Sequence, residues 1–172
     1  GRLHSPEEAA GAFDAARRAR FDSVGIDLLF GIPGQVYENW AEDLKSALEM
    51  SPDHVSAYML KPPRGWSVPP EEDVCRMYLH GVDVLEAAGL RQYEVSNFAR
   101  EGHRCRHNLN YWKSGDYLGL GVAAHSRLSV SLLKELPRKA CGGPPDSSEI
   151  PEAKHLRWWN VRGPESYINA IN

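Results

Sequence analysis

Two short apolar runs, separated by one helix-length segment, limit most strongly what this chain can fold into. Val24–Phe30 and His54–Leu60 are of strand length and rich in Val, Ile, Tyr and Phe. Between them, Tyr37–Met50 carries Trp40, Leu44 and Leu48 at helical spacing, as core positions. A strand, a crossover helix and a second strand pair in parallel, so the chain is expected to be α/β, a sheet or a barrel. Along the first run, Val24, Ile26, Leu28 and Phe30 share one face, and Gly25, Asp27 and Leu29 share the other. Asp27 is therefore a carboxylate inside an apolar strand. A buried carboxylate is costly unless paired, which favours a functional role over one of binding backbone amides at a strand end. Gly31-Ile32-Pro33-Gly34-Gln35 ends the strand as a turn.

The flanking elements follow the same rules. Ser5-Pro6-Glu7-Glu8 opens a helix to about Arg20, with Ser as N-cap, Pro at the first helical position and Glu at the third. Lys61–Pro70 is a Pro-rich loop. Glu71–Ala88 is a helix stopped by Gly89, and Gln92–Phe98 is expected to be a third strand. Tyr117–Ala123 alternates Leu118, Leu120 and Val122 with Gly119, Gly121 and Ala123. That pattern predicts a strand whose bare face admits a ligand or another backbone, with His125 on the same parity. Arg127–His155 has little periodicity and is expected to be a loop or disordered insertion. Leu156–Asn160 regains aromatic content, and Pro164 begins a further helix.

A formal charge of −3 argues against a nucleic-acid or membrane surface. No run is long and apolar enough to span a bilayer. Three widely spaced Cys make no disulfide framework and point to a reducing compartment. No C-x-x-x-C-x-x-C is present, so the chain's own thiols cannot hold an ordinary iron–sulfur cluster. The chain opens without a signal peptide and close to a helix start, which suggests a missing N-terminal part.

Gly102–Trp112 reads G-H-R-C-R-H-N-L-N-Y-W. Polar groups this dense need partners, and the two aromatics beside them need apolar cover. The stretch is expected to be a ligand-facing loop on a scaffold. His103-x-Cys105-x-His107 would place three metal-capable side chains on one side of an extended segment, but without the further ligand of a closed zinc site.

These segments resemble, in order, those of the HemW group of radical SAM proteins, relatives of the oxygen-independent coproporphyrinogen III oxidases. Gly1-Arg2-Leu3-His4-Ser5 is similar to L-G-R-x-H-s, and Ile26–Gln35 to I-D-L-I-Y-G-L-P-G-Q. Tyr93–Arg100 is similar to Y-E-I-S-N-F-A-R, and Tyr117–Ser126 to y-L-G-i-G-a-g-A-H-S. His107-Asn108-Leu109-Asn110-Tyr111-Trp112 resembles the H-N-x-x-Y-W signature that separates HemW from the oxidases. Trp159-Asn160-Val161 resembles the start of its C-terminal domain.

The resemblance implies the C-terminal portion of a partial TIM-like (β/α)6 barrel with extension strands. It implies S-adenosylmethionine and a [4Fe-4S] cluster as cofactors, and haem bound and handed to acceptor proteins. Asp27, Lys61 and His125 match S-adenosylmethionine contacts. His107 is the first candidate for haem contact, since neutral imidazole is a common axial ligand; Asn108, Tyr111 and Trp112 would shape its pocket. No catalytic residue and no cluster ligand is assigned in this chain.

The organisation expected is residues 1–126 as barrel, 127–155 as insertion and 156–172 as the start of a truncated C-terminal domain. The chain departs from the family in lacking the cluster motif and the first half of the barrel. It has Met59 where relatives have Gln, and the 61–70 loop is short. The alternative function is an oxygen-independent coproporphyrinogen III oxidase or dehydrogenase. Haem acceptors, no nucleic acid and a dimer of the full-length parent are the expected partners. The expected compartment is the cytoplasm, or the mitochondrion in a eukaryote. Half a barrel leaves open strand edges, a recipe for aggregation.

Overall fold

The structure is a computed structural model and describes residues 5–133 and 154–171. The motif at residues 1–4, Cys141 and most of the expected 127–155 insertion lie outside the described residues. The α/β class holds, and the packing divides into two compact units, one ending at Cys105 and one beginning at Arg106. This division falls earlier than the boundary expected at residue 126.

In the first unit, helix α1 (Pro6–Arg18) starts as its sequence requires. The Ser5 hydroxyl accepts from the Glu8 N–H at 3.2 Å, and the Glu8 carboxylate accepts from the Ser5 N–H at 2.7 Å. Strand β1 (Gly25–Phe30) lies parallel to β2 (His54–Met59), with Gly25 opposite His54 and Phe30 opposite Met59. Helix α2 (Tyr37–Glu49) makes the crossover, and α3 (Glu71–Ala87) packs beside it. The G-I-P-G-Q turn closes on Gln35, whose Oε1 accepts from the Gly31 N–H at 2.8 Å. Gly31 and Gly34 take φ of 72° and 79°, the left-handed region where a glycine is least strained.

The expected strand over Gln92–Phe98 is instead a small hairpin. Strand β3 (Arg91–Gln92) and β4 (Asn97–Ala99) pair antiparallel, giving the sheet order β1-β2-β4-β3. A turn divides the run because Glu94 folds back: its Oε1 accepts from the Ser96 N–H at 3.1 Å, while the Tyr93 N–H donates to the Asn97 carbonyl at 3.0 Å. Strand β4 then pairs antiparallel to β2.

One sheet face is covered by α2 and α3. Phe30, Trp40, Leu44, Val55, Ala57, Met77, Leu85, Leu90 and Phe98 form its buried core. The Trp40 indole N–H donates to the Met77 carbonyl at 2.7 Å. A Cβ added to Gly81 would sit 3.1 Å from the Trp40 ring, so the glycine lets α2 and α3 approach.

Asp53 joins three parts of this unit. Its Oδ2 accepts from the Arg17 guanidinium at 2.5 Å and from the Val24 N–H at 2.9 Å. Its own N–H donates to the Val24 carbonyl at 3.0 Å, and its carbonyl accepts from the Arg100 N–H at 2.9 Å. Burial alone would raise the pKa of this carboxyl. The hydrogen bonds from Arg17 and Val24, with the Arg17 and His103 charges, outweigh burial and lower it.

The second unit contains α4 (Arg106–Trp112), β5 (His125–Ser129), α5 (Val130–Leu133), β6 (His155–Trp159) and α6 (Pro164–Ile171). Strands β5 and β6 pair antiparallel, with His125 opposite Trp159 and Arg127 opposite Arg157. Leu128, Leu133 and Trp158 form its small core.

Three expectations fail here. The Gly102–Trp112 stretch is a loop only up to Cys105; from Arg106 it is helix. The 127–155 segment is ordered at both ends, as the end of β5, as α5 and as the start of β6. Tyr117–Ala123 is not a strand: only Tyr117 bridges, to Arg127, and a turn follows.

Asp53→Ala is expected to lower unfolding stability by about 1–3 kcal/mol, because it leaves the Val24 amide unpaired and takes the ion pair from Arg17, which keeps its bond to the Ser51 carbonyl. Arg17→Ala, which keeps the Val24 bond, should cost less. Denaturant unfolding followed by circular dichroism reads both; equal stability of Asp53→Ala and the unchanged chain would refute the role given to Asp53.

Candidate functional site

The face of the first sheet opposite α2 and α3 carries polar groups in register. Asp27 lies opposite Ser56, and Ser56 opposite Asn97. Directly opposed residues share a face, so these three strands present one polar row, which Tyr93 continues beside Asn97. Asp27 is exposed rather than buried, which corrects the sequence expectation. Its strand is one edge of the sheet, and Asp27 is among the residues that line a 590 Å³ cavity between α1 and β1. Lys61 is exposed, two residues beyond the end of β2.

Sequence reasoning missed the rest of this face. His54 Nε2 and the Tyr93 hydroxyl lie 2.7 Å apart, and the Tyr93 oxygen accepts from the Cys105 N–H at 3.3 Å. Burial lowers the pKa of His54, against the opposing pull of the Asp27 and Glu94 carboxylates. A neutral imidazole with its proton on Nδ1 accepts the Tyr93 hydroxyl proton at Nε2. Asn97 is 4% exposed; its amide nitrogen donates to Glu94, and its Oδ1 is buried without a hydrogen-bond partner among the described residues. The Y-E-x-S-N-F-A-R run contains Tyr93, Glu94 and Asn97, yet nothing in it states which strands they face.

In the second unit, the H-N-x-x-Y-W residues are two interleaved i,i+4 pairs on α4. His107 and Tyr111 lie on one side, with ring centroids 4.7 Å apart and edge to face. Tyr111 in turn meets Tyr117 at 4.5 Å. Asn108 and Trp112 share the neighbouring side of the helix, and Trp112 is 61% exposed. His107 is exposed. The end of the helix is fixed by Asn110, whose Nδ2 donates to the Asp116 carbonyl at 3.0 Å.

His125 begins β5 and is exposed, its ring 5.9 Å from Trp159. The glycine-rich turn before it packs its bare side inward and its apolar side outward, with Leu120 72% exposed. A Cβ on Gly119 would sit 2.1 Å from the His125 carbonyl oxygen, so another backbone fills the bare face. The Gly119 N–H donates to Ser126 Oγ at 3.0 Å, and Asn160 Nδ2 donates to the Gly121 carbonyl at 2.8 Å. The Gly121 N–H donates to the Tyr167 hydroxyl at 3.1 Å.

His103, Cys105 and His107 do not converge, and no three His, Cys, Asp or Glu side chains among the described residues are placed to hold a metal ion. His107 is inside α4 while the other two precede it, which removes the extended geometry a zinc module needs. Among the described residues, no helix is long and apolar enough to cross a membrane.

No family model matches the chain. Among curated proteins it is 37% identical over 139 residues to the Heme chaperone HemW of Haemophilus influenzae, covering 75% of this chain and 36% of that protein. It is 34% identical over 181 residues to the HemW of Mycobacterium tuberculosis, covering 99% of this chain and 40% of that one. It is 41% identical over 138 residues to the mitochondrial radical S-adenosyl methionine domain-containing protein 1 of Bos taurus, covering 74% of this chain and 31% of that one. The chain thus spans 36% to 40% of the HemW proteins it matches here.

Among solved structures it is similar to Escherichia coli coproporphyrinogen III oxidase (HemN), a radical SAM enzyme. The TM-score is 0.60 at 23% identity, over 73% of this chain and 34% of that one. That likeness places the chain in the same α/β fold class. Over the matched span, the chain belongs with the HemW-type radical SAM proteins.

Two outcomes follow from this geometry. His54 has a folded-state pKa below its unfolded value of 6.5, so it costs no stability where both states are neutral. As pH falls through the unfolded value, the unfolded chain takes the proton first and stability declines, until the folded His54 also protonates. Denaturation midpoints at about pH 7.5 and about pH 5.5 should differ less in His54→Gln than in the unchanged chain; an equal difference would refute the assignment. Gly119→Ala should destabilise the second unit by about 1–3 kcal/mol through overpacking, read as lost amide hydrogen-exchange protection across β5 and β6.

Proposed function

We propose that the chain is part of a radical SAM haem chaperone, which binds haem and passes it to acceptor proteins. The reading is carried by the exposed His107 imidazole on α4, braced by Tyr111 and Tyr117 and followed by exposed Trp112. The relatives named Heme chaperone match at 34–37% identity, which supports haem as the cargo. The coproporphyrinogen oxidase alternative draws on a likeness at 23% identity, which speaks only to fold.

On this reading the first unit is the C-terminal portion of a partial TIM-like barrel, and its open polar face looks into the lumen. Asp27 and Lys61 are its contacts to S-adenosylmethionine, and the resemblance assigns His125 to the same ligand. An exposed carboxylate bordering a cavity fits a polar ligand with hydroxyl or ammonium donors. His107, Asn108, Tyr111 and Trp112 form the haem site. The described residues do not fit an iron–sulfur cluster: Cys75 and Cys105 are free thiols and no ligand group forms around them. The cluster's thiolates belong to a part of the parent protein not in this chain. Mitochondrial relatives make that compartment an alternative to the cytoplasm in a eukaryote.

Haem titration followed by visible absorbance tests the site. His107→Ala is expected to weaken binding about tenfold or more and to change the spectrum, because the axial nitrogen is lost. An unchanged affinity and spectrum would remove His107 from the site, and no haem binding by the unchanged chain would end the chaperone reading.

A further inference from the structure

The outer face of the β5–β6 pair holds two arginines directly opposite one another, Arg127 and Arg157. Like charges in that position repel, so the arrangement costs stability unless an anion offsets it. Arg127 is already engaged. It donates to the Ser114 carbonyl and, at 3.3 Å, to the Gly115 carbonyl, and it lies 3.8 Å from Asp116. His155 lies 3.9 Å from the same Asp116 oxygen. Arg157 is exposed and has no hydrogen bond or ion pair among the described residues. The whole chain carries a net charge of −3, so this pairing is not a product of general basic character.

The surroundings define what would bind. Strand alternation puts His125 and Trp159 on the same face as the arginines. Tyr117 bridges to Arg127 and continues through Tyr111 to His107. One surface of this unit therefore carries exposed aromatic rings, an open imidazole and a free guanidinium. That set suits a flat apolar body with carboxylates at its edge.

We propose that Arg157, backed by Arg127, is a carboxylate-binding subsite that anchors the two propionate groups of haem. The inference rests on the haem reading above and adds to it the feature of the ligand by which it is oriented. A guanidinium grips a carboxylate through two parallel hydrogen bonds, which gives direction as well as affinity. His107 would engage the metal, and Arg157 would fix which way the macrocycle lies.

The test compares haemin with haemin dimethyl ester, whose propionates are uncharged, on the unchanged chain, Arg157→Ala and Arg157→Glu. The unchanged chain should bind haemin about tenfold or more tighter than the ester, the scale of one charge-assisted pair. Arg157→Ala should erase that preference by weakening haemin alone, and Arg157→Glu should weaken haemin further. Equal binding of haemin and ester by the unchanged chain overturns the subsite and leaves the haem site standing. A preference that survives in Arg157→Ala overturns it too. Failure of the unchanged chain to bind either compound overturns the haem reading and the subsite together. The ester comparison needs no variant, so it stands even where a substitution disturbs folding.

Discussion

The first unit depends on one carboxylate. Asp53 sits where α2 has ended and β2 is about to begin, and it binds the amide that leads into β1. A parallel pair has no hairpin to set its register, since its strands meet only after a long excursion. The two-way exchange between Asp53 and Val24 does that work at the start of both strands. Arg17 brings the end of α1 to the same point, and Arg100 brings the end of β4. Register in turn decides which residues share a face. It therefore decides that Asp27, Ser56 and Asn97 form a polar row while Phe30, Val55 and Phe98 go into the core.

The second unit solves a different problem. Its core is small, and its glycine turn must be held by hydrogen bonds rather than by packing. Ser126, Asn160 and Tyr167 bind three points of that turn from three parts of the chain. The cost is visible in what they leave behind: the Asn160 Oδ1 and the Trp158 indole nitrogen are buried without hydrogen-bond partners among the described residues. The apolar side chains of the turn are directed outward by the same arrangement, since only glycine can lie against the His125 carbonyl.

The helices were legible because their apolar spacing and caps are local. Ser5, Trp40 and Leu44 act as their positions imply, and the parallel β1–β2 pair followed from the crossover between them. The Gln92–Phe98 run was misread because Glu94, a poor strand residue, folds the chain by a side-chain contact that periodicity does not encode. In Tyr117–Ala123 the alternation is real and another backbone, at His125, does lie against the bare face, but the segment is a turn rather than a strand. The H-N-x-x-Y-W segment held a missed signal: both of its aromatics stand four residues after a polar partner, a helical spacing. Of the site, Asp27 stood out as a charge in an apolar run. His54 and Asn97 did not, because their partners Tyr93 and Glu94 come from a turn that periodicity does not encode.

Helix α4 is seven residues long. Isolated helices shorter than about 12–15 residues do not sustain themselves in water, so its order is lent by neighbours. Two of these are the Tyr117 ring and the Asp116 carbonyl, both just beyond its end. Undoing them removes the platform under His107 without disturbing any strand. A helix this short, held by so few neighbours, sets a low threshold for losing that platform.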